Sequence, residues 1–137
     1  MSMTIQQARD EMSALFNTAW SPRAVIWDGL PGKPPSGRTP WARFTVRHAD
    51  GEQATLANDQ GRRRWRRSGT IFIQLFAPVG DGLSALDPLT KIAMDAYEGQ
   101  STAGGAWFRD VRCREIGPDG DWYQVNVLVD FEYDEVK

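Results

Sequence analysis

The stretch Trp122-Tyr123-Gln124-Val125-Asn126-Val127-Leu128-Val129-Asp130-Phe131-Glu132-Tyr133 alternates without a break. Tyr123, Val125, Val127, Val129, Phe131 and Tyr133 fall on one side, and Trp122, Gln124, Asn126, Leu128, Asp130 and Glu132 on the other. Successive residues of a strand point to opposite faces, so this period of two predicts a long strand with one dry and one wetter face. A dry sheet face needs a cover, and the rest of the chain has to supply both neighbouring strands and that cover.

Immediately upstream, Trp107 to Ile116 reads as a partner strand, joined through the turn Gly117-Pro118-Asp119-Gly120. Gln100 to Ala106 is a glycine-rich connection. Before it, Leu83, Leu86, Leu89, Ala93 and Tyr97 recur at helical spacing, with Gly99 placed for a left-handed C-cap. Two starts suit this helix: Ser84 as cap with Asp87 three residues on, or Asp87 as cap with Pro88 in the first helical position. A first helix spans Thr4 to Trp20, where Ile5, Ala8, Met12, Leu15, Phe16 and Ala19 form the apolar stripe. Ser21-Pro22 ends it, because the residue before proline is driven out of helical geometry.

Between the helices, Ala24 to Trp27 predicts a short strand and the proline-rich segment Leu30 to Pro40 a long loop. Trp41 to Arg47 alternates, Asp50-Gly51 suits a tight hairpin turn, and Gln53 to Leu56 supplies a second arm. The polar interval Ala57 to Arg67 then reads as a loop leading into the strand Thr70 to Phe76, which Pro78, Gly80 and Gly82 terminate. The expected architecture is a single α+β domain over residues 1–137. It has an antiparallel or mixed sheet of about six strands with both helices packed on one face. Arg43, Arg47, Asp110, Arg112, Arg114, Asp130 and Glu132 would mark the opposite, mixed-charge face.

At 137 residues, 41% hydrophobic and 25% charged, the chain is ordinary for a globular domain and large enough for its own core. No apolar run reaches the roughly 18 residues of a membrane span, and the N-terminus lacks the continuous apolar region of a secretion signal, so intracellular synthesis without a membrane partner is expected. Net charge is only -2, yet thirteen of the sixteen cations are arginines, and five fall in Arg62-Arg63-Arg64-Trp65-Arg66-Arg67. Arginine's planar fork grips carboxylates and phosphates with two prongs, which points to structured contacts. The C-terminal Asp130, Glu132, Asp134 and Glu135 form a complementary acidic set.

Catalytic chemistry finds no foothold. His48 is the single histidine and reads as a solvated turn residue, which rules out triads and multi-histidine metal sites built from this chain alone. Cys113 is the single cysteine, excluding an intrachain disulfide, and its strand parity with Trp107 and Val111 suggests a buried small hydrophobe. Asp10/Glu11, Asp119/Asp121 and Asp134/Glu135 fall in a helix, a turn and a tail, as surface acids do. The glycine-rich Gly99 to Gly105 leaves a helix and enters a strand, the reverse of a phosphate-cradling loop. No catalytic residue, cofactor or metal is expected, and the protein does not read as an enzyme.

For the arginine run, a solvated loop and a protein contact stand level. Nucleic acid ranks behind them, since phosphate-binding domains show a basic face or high pI and this chain has a pI near 5.4.

The pattern Gly69-x-x-x-x-Gln74-x-Phe76-x-Pro78-x-Gly80-x-Gly82, followed by an amphipathic helix and two closing strands, resembles tail-terminator and minor-tail-protein-U-like proteins of long-tailed bacteriophages. More narrowly it resembles a phage-related domain family grouped with them. The resemblance covers nearly the whole chain and rests on strand and turn residues. It implies a structural virion protein that caps the tail tube as an oligomeric ring, a hexamer in the assembled tail, and helps join tail to head. Implied partners are further copies of itself, the tail tube protein and head-tail connector proteins. The implied locations are the bacterial host cytoplasm during assembly and then the virion tail. A ring uses head-to-tail contacts between two different patches, so Arg62, Arg63, Arg64, Trp65, Arg66 and Arg67 of one subunit are expected to face Asp130, Glu132, Asp134 and Glu135 of the next. The alternative is a small nucleic-acid-binding accessory protein using the same arginine loop.

Overall fold

The first helix, α1 (Ile5–Trp20), begins at Thr4, whose side chain accepts the Gln7 backbone N–H while the Gln7 side chain accepts the Thr4 N–H. This reciprocal capping satisfies two otherwise orphaned donors. The helix buries Ala8, Met12, Phe16 and Trp20; of the expected stripe, Leu15 and Ala19 are half-buried and Ile5 is exposed. The structure is a computed structural model that describes residues 3–30, 32–33, 35, 37–53 and 63–137.

Five strands follow: β1 (Ala24–Trp27), β2 (Trp41–Gln53), β3 (Arg64–Pro78), β4 (Trp107–Asp119) and β5 (Trp122–Val136). They form one mixed sheet in the order β1-β2-β3-β5-β4, in which β1 runs parallel to β2 and every other neighbour pair is antiparallel. The second helix, α2 (Gly82–Asp95), enters through a short 3-10 turn at Val79–Asp81. The α+β reading therefore stands, with five strands among the described residues where about six were expected.

The missing strand has a local cause. Asp50 and Gly51 do not turn the chain; they continue β2, paired with Ser68 and Arg67, after a bulge that leaves Ala49 without a partner. A bulge and a tight turn both suit Asp-Gly, so the pair alone does not separate them. The arm placed at Gln53 to Leu56 is thus the end of β2 at Gln53, and Ala54 to Leu56 lie outside the described residues. Likewise β3 starts at Arg64, six residues before the expected Thr70. Arg64 to Arg67 belong to a strand, not a loop. The helix start also differs: α2 begins at Gly82, and Pro88 sits inside it.

The inward positions of β2, β3 and β5 meet the helices in one core: Phe44, Val46, Ile71, Ile73, Leu75, Val127, Val129 and Phe131 against Met12, Phe16, Leu86 and Tyr97. Each such side chain contributes about 1.5–3 kcal/mol by leaving water. The Tyr97 hydroxyl donates to the Met12 carbonyl at 2.7 Å, fastening the chain just past α2 to α1. Burial raises that phenol's pKa well above its ordinary value.

Candidate subunit-contact face

The antiparallel register of β3 and β5 brings residues nearly seventy positions apart into direct opposition: Arg66 faces Asp134 and Arg64 faces Val136. Arg64 Nε and Arg66 Nε each lie 3.6 Å from a different oxygen of Asp134. Arg67, on the other face of the strand, donates to Glu135 Oε1 through both Nε (3.3 Å) and Nη2 (3.1 Å). Further along, Arg109 meets Glu132 at 2.5 Å and Arg112 meets Asp130 at 3.4 Å, while the Thr70 hydroxyl donates to Asp130 at 3.0 Å. Arg66 also stacks over Trp107, and Arg67 over Trp65. The Arg63 carbonyl accepts the Lys137 N–H at 2.9 Å. Arg62 lies outside the described residues.

Part of the sets expected to meet across subunits is therefore already joined within one subunit: Arg64, Arg66 and Arg67 to Asp134 and Glu135, whereas Asp130 and Glu132 pair with Arg112 and Arg109 outside the run. The sequence reading saw both halves but could not see that two antiparallel strands would interleave them. What remains exposed is unequal. Arg109 keeps 54% of its side chain in solvent and its partner Glu132 only 13%, so the surface beyond the ladder is arginine.

Toward the other end of the same face, register places Arg43, Gln74, Asn126 and Arg114 in one row across four strands, and Thr45, Phe72, Leu128 and Arg112 in the next. Phe72 is 38% exposed and stands at the centre of this arginine-flanked surface. Its parity with Thr70 and Gln74 is the sequence signal that could have marked it as outward. Trp41 and Phe76 share the face but are buried, stacked at 4.1 Å.

On the helix side, α1, α2 and residues 100–103 enclose an open groove of about 440 Å³. Ala14, Leu15, Ala19 and Ala96 give it an apolar floor, and Glu11 and Asp95 stand at its walls.

Two single residues need correction. His48 is half-buried in β2, not in a solvated turn, and its Nε2 lies 2.6 Å from the Tyr133 hydroxyl. Burial first, then the charges of Arg9 and Arg67, depress its pKa. Cys113 is exposed, not buried. The bulge between Arg109 and Arg112 shifts the register, so Cys113 pairs with inward-facing Val127 while Trp107 pairs with outward-facing Glu132. Parity carried across the bulge fails: Phe108 on the same strand packs against Tyr97, while Cys113 stands exposed.

Among the described residues, no group of three or more His, Cys, Asp or Glu could hold a metal ion. No helix in them is long and apolar enough to cross a membrane.

The family model described as phage tail terminator protein matches residues 6–131. The chain is similar to a solved structure of the virion of a native gene transfer agent particle, with 14% identity over 92% of this chain and 93% of that one and a TM-score of 0.50. It is also similar to a second solved chain without a functional name, at 17% identity over 90% and 94% of the two chains and a TM-score of 0.62. At these identities both likenesses bear on the fold alone. No curated protein matches the chain.

Proposed function

The chain belongs to the phage tail terminator family, and from that premise we propose that it caps the tail tube as an oligomeric ring and helps join tail to head. The family match across residues 6–131 carries this reading. The role is structural, not enzymatic, and the chain acts as one domain. Its partners are further copies of itself, six in the assembled tail, together with the tail tube protein and the head-tail connector proteins. It is assembled in the bacterial host cytoplasm and ends in the virion tail.

In this reading Arg62 to Arg67 and Asp130, Glu132, Asp134 and Glu135 meet the neighbouring subunit, with Arg64, Arg66 and Arg67 already held by Asp134 and Glu135 of their own chain. Arginines held by one carboxylate keep further N–H donors for a second acceptor. That leaves less unbalanced charge for nucleic acid, since Arg64, Arg66 and Arg67 each have a carboxylate within 4 Å.

Negative-stain electron microscopy of the concentrated protein, alone and with polymerising tail tube protein, tests the proposal. Rings, and tubes that stop growing with a cap at one end, are expected. Featureless monomers that neither decorate nor shorten tubes would overturn it.

A further inference from the structure

The two layers of this subunit carry opposite charge. On the sheet face away from the helices, β2 and β4 flank the centre with Arg43, Arg47, Arg109, Arg112 and Arg114, while Asp130 and Glu132 lie recessed on β5 between them. Arg47 pairs with Asp28 at 3.2 Å and Arg43 lies over Trp41, but Arg114 is exposed with no partner among the described residues. Within the helices themselves the balance reverses. Asp10, Glu11, Asp87 and Asp95 stand against Arg9 and Lys91, and Arg9 turns inward to donate to the Val46 carbonyl at 2.9 Å.

The shapes match the charges. An exposed aromatic side chain, Phe72, stands on the outer sheet face between Thr45 and Leu128, with arginines on the flanking strands β2 and β4. An apolar groove opens on the helix layer, walled by Glu11, which accepts the Gly104 N–H, and by Asp95, which shares its charge with Lys91. Exposed aromatic and arginine side chains at the centre of a patch are the types that dominate binding energy at interfaces. Opposite patches on opposite sides of one subunit make a heterologous contact, which closes into a ring when the rotation between subunits allows it.

We infer that the sheet face centred on Phe72 docks into the α1–α2 groove of a second copy, with Arg43, Arg112 and Arg114 approaching the neighbour's Glu11, Asp87 and Asp95. This assignment rests on the ring reading and gives it its two surfaces. The ion pairs of Arg64 and Arg66 with Asp134 form the far end of the same face and so border the contact. Rim charges of this kind set association rate and register, and they weaken with salt.

Two variants test it, both at exposed positions so that folding is preserved, with circular dichroism confirming the fold. R43E/R114E spoils the sheet face and leaves the groove intact; A14R blocks the groove and leaves the sheet face intact. Sedimentation velocity should show the wild type assembling in low salt and each variant alone self-associating at least about tenfold more weakly. Mixed together, the variants retain one good sheet face and one good groove between them, so a heterologous contact predicts a one-to-one dimer that grows no further. If wild-type rings form and both variants still form them, these surfaces are not the contact, although the ring reading stands. A mixture that stays monomeric also overturns the pairing. If the wild type makes no assembly, alone or on tubes, the ring reading fails and this inference with it. Finally, if R43E/R114E assembles normally but loses binding to single-stranded DNA in a mobility-shift assay, the face serves a polyanion and not a second copy.

Discussion

His48 Nε2 and the Tyr133 hydroxyl lie 2.6 Å apart at the end of the core where Arg9 and Arg67 converge. A neutral imidazole can accept the phenol proton or donate to its oxygen; a protonated ring can only donate, and it adds a third cation to the pocket. Since folding depresses the His48 pKa below 6.5, the unfolded chain binds the proton more readily. The resulting stability is fully present above pH 6.5 and is lost as pH falls through the depressed folded value.

Urea unfolding therefore gives a lower midpoint at pH 5.5 than at pH 7.5. The variant His48→Phe, which keeps an aromatic ring against Phe131, should flatten that difference while costing about 1 kcal/mol for the lost hydrogen bond. An equal pH dependence in wild type and variant would show that another group is responsible. At the alkaline end the sign is opposite. Tyr133 is raised to about 12, chiefly by burial, so its contribution holds below pH 10 and disappears as the phenol ionises.

Arg67 and Glu135 form the most enclosed pair of the ladder, with 22% and 18% of their side chains exposed. Their two hydrogen bonds are charge-assisted and little screened, unlike the Arg109–Glu132 pair, whose arginine is mostly in solvent. A double-mutant cycle should give a coupling of about 1–2 kcal/mol for Arg67/Glu135 and about 0.5 kcal/mol or less for Arg109/Glu132. Raising salt from 50 mM to 0.5 M should erode the second and spare most of the first. Equal couplings would mean that burial does not separate the two pairs.

The contrast between α1 and the arginine run shows what a local pattern can carry. The buried residues of α1, Ala8 to Trp20, lie within one short stretch of chain, so periodicity reveals most of them directly, whereas the capping box at Thr4 goes unmarked by it. The β5 alternation is equally self-contained. Arg64 and Arg66, by contrast, look like a solvated loop until Asp134 is placed opposite them, and that pairing depends on chain topology rather than neighbouring residues. A run of like charge forms a strand here because its neutralising carboxylates arrive from the next strand. The same distance hid the groove between α1 and α2, whose walls Glu11 and Asp95 come from separate helices.

Gly69 opens the motif that carries the family resemblance, and its role is close approach rather than turn formation. It pairs with His48 just before the β2 bulge, and a Cβ built there would lie 2.0 Å from the Arg47 carbonyl oxygen and 2.8 Å from Phe131 Cζ. The first obstacle is backbone and cannot rotate away. Gly69→Ala must push β2 from β3 or displace Phe131 in the core, at a cost of about 3 kcal/mol. Thermal unfolding checks this. A melting temperature within a degree or two of wild type would show that the sheet absorbs the methyl group.

Cys113 lies just past the bulge at Asp110, where φ is +52° and the register between β4 and β5 slips. Without the bulge, Cys113 would share the parity of Trp107. With it, the thiol takes the parity of inward-facing Val127, and it stands exposed. The native protein should then react with a thiol reagent such as dithiobis(nitrobenzoate) at one equivalent per chain within minutes and without denaturant. Slow labelling that accelerates only when the protein unfolds would place the thiol in the core. Asp110→Gly, which removes the strain of a left-handed residue at the bulge, should leave the labelling rate unchanged and raise stability by roughly 0.5–1 kcal/mol. A variant that labels slowly would mean that the bulge depends on the aspartate side chain and not on the backbone alone.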